Sequence, residues 1–188
     1  MDGLDLRLDP VPHAVAVATL AVMLLLTGWA KLRHFAAFTQ AVRGHALVPG
    51  ALVPAVAALV TGLELAAALL LPWQGLRGTG ALLAMLPCAM AAGALAINLA
   101  RGRTDLDCGC TGFGAPRDGE RPRIGPAHLL RALFLLLLAV LAWLPETGRA
   151  MQWLDFLSGA AATLVALLAL WAVDGLLRNA PRLEPMDR

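Results

Sequence analysis

Five apolar stretches separated by short charged segments dictate what this chain can fold into. They run over about 12–30, 51–71, 79–99, 126–144 and 157–174. A bilayer core about 30 Å thick is crossed by roughly 20 residues of helix, and each stretch is near that length. Leu, Ala and Val dominate them without period-two alternation, which favours helices over barrel strands. A helix also satisfies its own backbone hydrogen bonds, as lipid cannot. Composition agrees: 59% of residues are hydrophobic and 15% charged, against about 25% charged in a soluble domain. The expected fold is all-α, a polytopic membrane helical bundle of about five transmembrane helices, with residues 1–188 forming one integral membrane domain.

The first stretch reads as a retained helix. A cleaved signal peptide opens on a basic region, whereas this chain opens with Asp2, Asp5 and Asp9 against Arg7. Five crossings place alternate connections on the same side. One side then carries twelve of the 15 Lys and Arg, and the other carries Arg7, Arg77 and Arg149. Positive charge marks the cytoplasmic side. The expected arrangement is an inner (cell) membrane protein of a bacterium, N-terminus outside and C-terminus cytoplasmic, with the loop over 101–125 facing the cytoplasm.

That loop holds the reactive chemistry, Asp107-Cys108-Gly109-Cys110-Thr111-Gly112. Cysteines one residue apart join only through a sharp turn, because their Cα atoms must come within about 6.8 Å. Gly109 permits the turn. The small ring that results is strained, and strained exposed disulfides exchange readily. A labile redox pair, Cys108 and Cys110, is the leading reading. Small residues in a turn, or a metal site with His128, are the alternatives; zinc normally takes four ligands. Cys88 lies within the third stretch and reads as a packing residue.

Glu64, Asn98 and Arg131 form a candidate intramembrane polar site. An ionisable group inside a span costs about 2.5–3.5 kcal/mol and therefore faces the bundle interior. Glu64 is expected to pair with Arg131 or Asn98, or to carry protons or touch a quinone. Arg131 is expected to snorkel to the interface, and Asp174 with Arg178 to mark the end of the last helix. The segment 31–43 has the spacing of a short amphipathic helix on the membrane surface, its basic groups toward the head groups. Trp29, Trp73, Trp143 and Trp153 fall where interfacial anchors belong. There is no nucleotide loop, and nothing points to nucleic acid.

Gly28-Trp29-Ala30-Lys31-Leu32-Arg33, Phe38, Ala41-Val42, Leu47-Val48-Pro49, Pro54 and Glu64-Leu65 resemble the opening of the methylamine utilisation protein MauE family, within the DoxX-like membrane group. Ile97-Asn98-Leu99, Arg101-Gly102-Arg103 and Asp107-Cys108-Gly109-Cys110 resemble its central signature. The likeness spans 27–138; Thr111 and Ala132 depart from the pattern. It implies a four-helix DoxX-like core plus one helix. It also implies a membrane thiol–disulfide component, with oxidoreductase activity, that assists maturation of the disulfide-rich β subunit of methylamine dehydrogenase in the periplasm. The implied partner is a thioredoxin-like protein of the MauD type, exchanging electrons with Cys108 and Cys110 without a resident cofactor. Two alternatives stand beside it: a non-catalytic assembly or transport scaffold whose cysteines are incidental, and a quinone-linked respiratory subunit using Glu64.

Overall fold

The computed structural model describes residues 7–106 and 124–179, with side chains through 177. Cys108, Cys110 and Arg178 lie outside the side chains so described. The elements are α1 (Pro10–Arg33), α2 (Phe35–His45), a 3-10 turn (Gly50–Leu52), α3 (Val53–Leu70), α4 (Arg77–Ala100), α5 (Pro126–Trp143) and α6 (Trp153–Asn179). All but α2 and the turn are long and apolar enough to cross a membrane. No strand occurs among the described residues, and the fold is all-α.

Local chemistry explains most boundaries. Asp9 caps α1 by accepting from the Val11 N–H at 3.0 Å. Pro10 and Pro12 fall in the first turn, where helical N–H groups lack partners anyway. Ala46 takes a left-handed conformation (φ 52°) that stops α2. Pro126 opens α5, and His128 Nδ1 accepts from the Gly125 N–H at 3.2 Å. The last helix continues past both Asp155 and Asp174, the residues that bound its apolar stretch.

Four helices, α1, α3, α4 and α5, surround one core. Leu20, Leu24, Leu71, Ala84 and Ala139 are almost wholly buried there, and Cys88 lies in the same cluster as a packing residue. α6 packs mainly on α1 and meets α5 over a small area. Most of its surface faces outward, as do Leu69, Leu130 and Leu164, which suits contact with lipid. Trp29, Trp73, Trp143 and Trp153 are all exposed, near helix ends.

The two ends of the bundle are tied differently. At the end where α1 begins, Leu8 exchanges backbone bonds with Pro145 and Thr147. His13 donates to the Ala142 carbonyl, Arg77 approaches Glu146, and Arg149 bridges Asp9 and Asp155. The Arg149 guanidinium holds the Asp9 carboxyl below its ordinary value of 3.8. A depressed carboxylate stabilises the fold above its unfolded pKa, so this exposed clasp is intact at neutral pH and loosens only in strong acid. The opposite end carries α2, the end of α4 and the start of α5.

Two glycines set helix spacing. A Cβ at Gly28 would lie 2.9 Å from Leu65 Cδ2, the far end of a flexible side chain; one at Gly80 would lie 2.9 Å from the Leu71 backbone nitrogen. Overpacking against backbone cannot relax by a rotamer change. Gly80→Ala should therefore destabilise the protein by about 1–3 kcal/mol, and Gly28→Ala by less. Thermal unfolding of the purified variants in detergent checks the order, and an equal loss from both would refute it.

Candidate functional site

The three intramembrane polar residues singled out in the sequence do not meet. Each anchors a separate joint, and each finds a partner other than those expected.

Glu64 pairs with Lys31, across the α1–α3 contact, where the two side chains are each about 8% exposed. Its second oxygen lies 3.4 Å from Thr27 Oγ1, whose one proton is directed mainly to the Met23 carbonyl at 2.9 Å. Phe38 of α2 covers the ammonium, its ring centroid 5.0 Å from Nζ. Neither Arg131 nor Asn98 is the partner. The close approach at Gly28, one turn before Lys31, brings the two helices near enough for the pair to form. A buried pair of this kind fixes how two helices sit, because removing either partner leaves an uncompensated charge.

Asn98 is completely buried at the end of α4. Its amide nitrogen donates to His45 Nδ1 at 3.1 Å and to the Ala94 carbonyl at 2.9 Å. Its oxygen accepts from Arg103 at 3.2 Å. Since the amide can only donate, Nδ1 of His45 is the acceptor and the ring proton sits on Nε2. Arg103 also donates to the carbonyls of Gly44 at 3.0 Å and His45 at 3.3 Å. Those carbonyls end α2 and lack helical partners, so a guanidinium there both bonds them and opposes the helix dipole. The backbone makes this possible. Gly102 adopts φ 68°. The Gly102 and Arg103 N–H groups then turn back to Leu99 and Asn98, a Schellman ending that only glycine accepts without strain.

Arg131 does not snorkel. It is buried and lies 3.0 Å from Asp174, so Asp174 is the strap that holds α6 to α5 and does not merely mark a helix end. Lys31, His45, Arg103 and Asp174 are the polar residues that sequence reasoning left out of the site. Lys31 and Thr27 share a helix face four residues apart, a spacing that could have marked them as joint partners for Glu64.

The stems of the cysteine segment belong to the Asn98 end. The Ile124 N–H donates to the Thr104 carbonyl at 2.8 Å. Ile124 is buried with Leu95, Ala92 and Ala132, and Leu106 packs against them. Cys108 and Cys110 themselves lie outside the described residues. No group of three or more His, Cys, Asp or Glu able to hold a metal occurs among the described residues.

Removing the Glu64 carboxyl alone should be costly. Glu64→Ala strands Lys31 and should destabilise the protein by about 3–5 kcal/mol, whereas the paired replacement Lys31→Met with Glu64→Leu should be near neutral. Unfolding midpoints of the single and double variants in one detergent measure the difference. A double variant as unstable as the single one would show that the pair does not act as a unit.

Residues 10–145 match the family described as methylamine utilisation protein MauE. Proteins named methylamine utilization protein MauE are similar along much of the chain. The one from Methylophilus methylotrophus is 37% identical over 68% of this chain and 65% of its own length, so the match spans slightly under two thirds of that relative. The one from Paracoccus denitrificans is 34% identical over 88% of this chain and 89% of its own. The one from Methylorubrum extorquens is 32% identical over 88% and 87%. No solved structure matches the chain.

Proposed function

Because the chain belongs to the MauE family and is a multi-pass membrane protein, we propose that it serves methylamine utilisation as a membrane thiol–disulfide component. In this reading Cys108 and Cys110 open and close as a dithiol and disulfide. A thiolate of the pair attacks the disulfide of a thioredoxin-like protein and forms a mixed disulfide. The second thiolate then displaces the partner's sulfur, so the partner leaves as a dithiol and Cys108 is joined to Cys110. Each exchange moves two electrons from the Cys108 and Cys110 dithiol to the partner, and a cytoplasmic thiol reduces the new disulfide again. The client in this reading is the disulfide-rich β subunit of methylamine dehydrogenase. The asymmetry of Lys and Arg supports an N-terminus outside and a C-terminus in the cytoplasm of a bacterial inner membrane, with the dithiol on the cytoplasmic face.

One observation carries this reading: the Cys-Gly-Cys sequence falls between two stems tied to each other and to the polar end of the bundle. The two stems thus start and end the cysteine segment at the same end of the bundle. The reactive form is the thiolate, and thiol exchange with a second protein requires that its partner find it there.

Replacing both Cys108 and Cys110 with Ser should abolish maturation of the dehydrogenase β subunit and growth on methylamine. Single Cys→Ser variants should trap a mixed disulfide, seen as a higher-mass band that reductant removes. Full maturation in the double variant would leave a scaffold without redox chemistry. Labelling of Cys108 in intact cells by a membrane-impermeant thiol reagent would reverse the orientation.

A further inference from the structure

The cations of the two bundle ends are satisfied in different ways. Lys31 faces Glu64, Arg77 faces Glu146, Arg131 faces Asp174, and Arg149 faces Asp9 and Asp155. Arg103 is occupied by the carbonyls at the end of α2. Arg33, Arg43 and Arg101 are exposed, and among the described residues none of them has a carboxylate within ion-pair distance. All three lie at one end of the bundle: Arg33 closes α1, Arg43 sits in the last turn of α2, and Arg101 follows α4.

Their surroundings are those of a membrane rim. α2 spans only 11 residues and joins α1 to α3, whose lengths suit a crossing, so it lies along the level where those spans end. Its inner face is covered, with Ala41 and His45 buried, while Ala36, Ala37, Gln40 and Arg43 point outward. Arg33 lies over the exposed Trp29 ring at 5.3 Å. Stacking uses the face of a guanidinium and leaves its in-plane N–H donors directed outward. Trp at such a position sits among head groups, with its ring partly in the apolar layer.

We propose that Arg33, Arg43 and Arg101 form a rim that binds the phosphates of anionic phospholipids. Among the described residues these three cations have no carboxylate counter-charge, and the phosphodiester of an anionic lipid supplies one. Charge complementarity therefore selects this occupant over zwitterionic lipid, whose own cation offsets its phosphate. The proposal does not depend on the cysteine chemistry.

The test uses the full chain in neutral detergent, titrated with phosphatidylglycerol or phosphatidylcholine, with bound lipid read by native mass spectrometry. Phosphatidylglycerol should bind and phosphatidylcholine should not compete. Each arginine near an anionic surface is worth about a fivefold change, so replacing all three with Gln should weaken binding on the order of a hundredfold. Arg→Lys at the three positions should retain it, since point charges suffice. Raising the salt concentration should weaken binding to the parent protein, which keeps the proposal testable if the Gln variant is unstable. Equal binding of both lipids, undiminished binding by a folded Gln variant, or displacement by inorganic phosphate at similar concentration would overturn it.

Discussion

A polar group in lipid has no water to turn to, and this governs the bundle interior. The charged groups buried in spans are matched by partners on other helices, Glu64 by Lys31 and Arg131 by Asp174, while Thr61 and Thr163 bond to carbonyls of their own helices. The Lys31–Glu64 pair is central, because it lies where α1 and α3 come closest and where α2 closes over them. Its attraction alone does not explain the packing, since desolvating two charges offsets much of it. What it imposes is specificity. Sliding α1 against α3 by one turn, about 5.4 Å, would leave an ammonium and a carboxylate each buried alone.

The same logic divides the molecule into a four-helix core and an added helix. Small residues, Ala67, Ala81, Ala84 and Ala139 among them, let α1, α3, α4 and α5 approach closely. Such packing drives association in membranes, where lipid is as apolar as the helix surfaces. α6 shares little of that core. It is held along α1, through Arg131–Asp174 near one end and through the Arg149 clasp near the other. The match to the family ends at residue 145, before α6 begins.

The Asn98 joint links fold to proposed chemistry. Asn98, Gly102 and Arg103 form one device: the glycine turns the chain, the guanidinium returns to α2, and the buried amide holds His45 in one tautomer. Four residues after this device comes the segment with Cys108 and Cys110. A glycine-terminated end to α4 thus precedes the cysteine sequence, and the Thr104–Ile124 bond closes the base from the other side.

Much of this was legible in the sequence. Five stretches of apolar residues specify helices long enough to span, because length and hydropathy are properties of contiguous residues. The spacing over 31–43 pointed to a short helix after α1, but that helix begins at Phe35, residues 31–33 end α1, and Lys31 turns inward to Glu64 instead of toward head groups. Cys108 with Cys110 stood out from residue type alone. Pairing was another matter. Glu64, Asn98 and Arg131 were visible as polar residues in apolar runs, but nothing in the chain order says that Glu64 meets Lys31, 33 positions earlier, or that Arg131 meets Asp174. Lys31 falls just past its apolar stretch and reads as a head-group cation of a surface helix, whereas it ends α1 and lies under Phe38 of α2. Partner choice depends on helix rotation and on which helices neighbour one another, and those are settled only when side chains from distant segments compete for the same space.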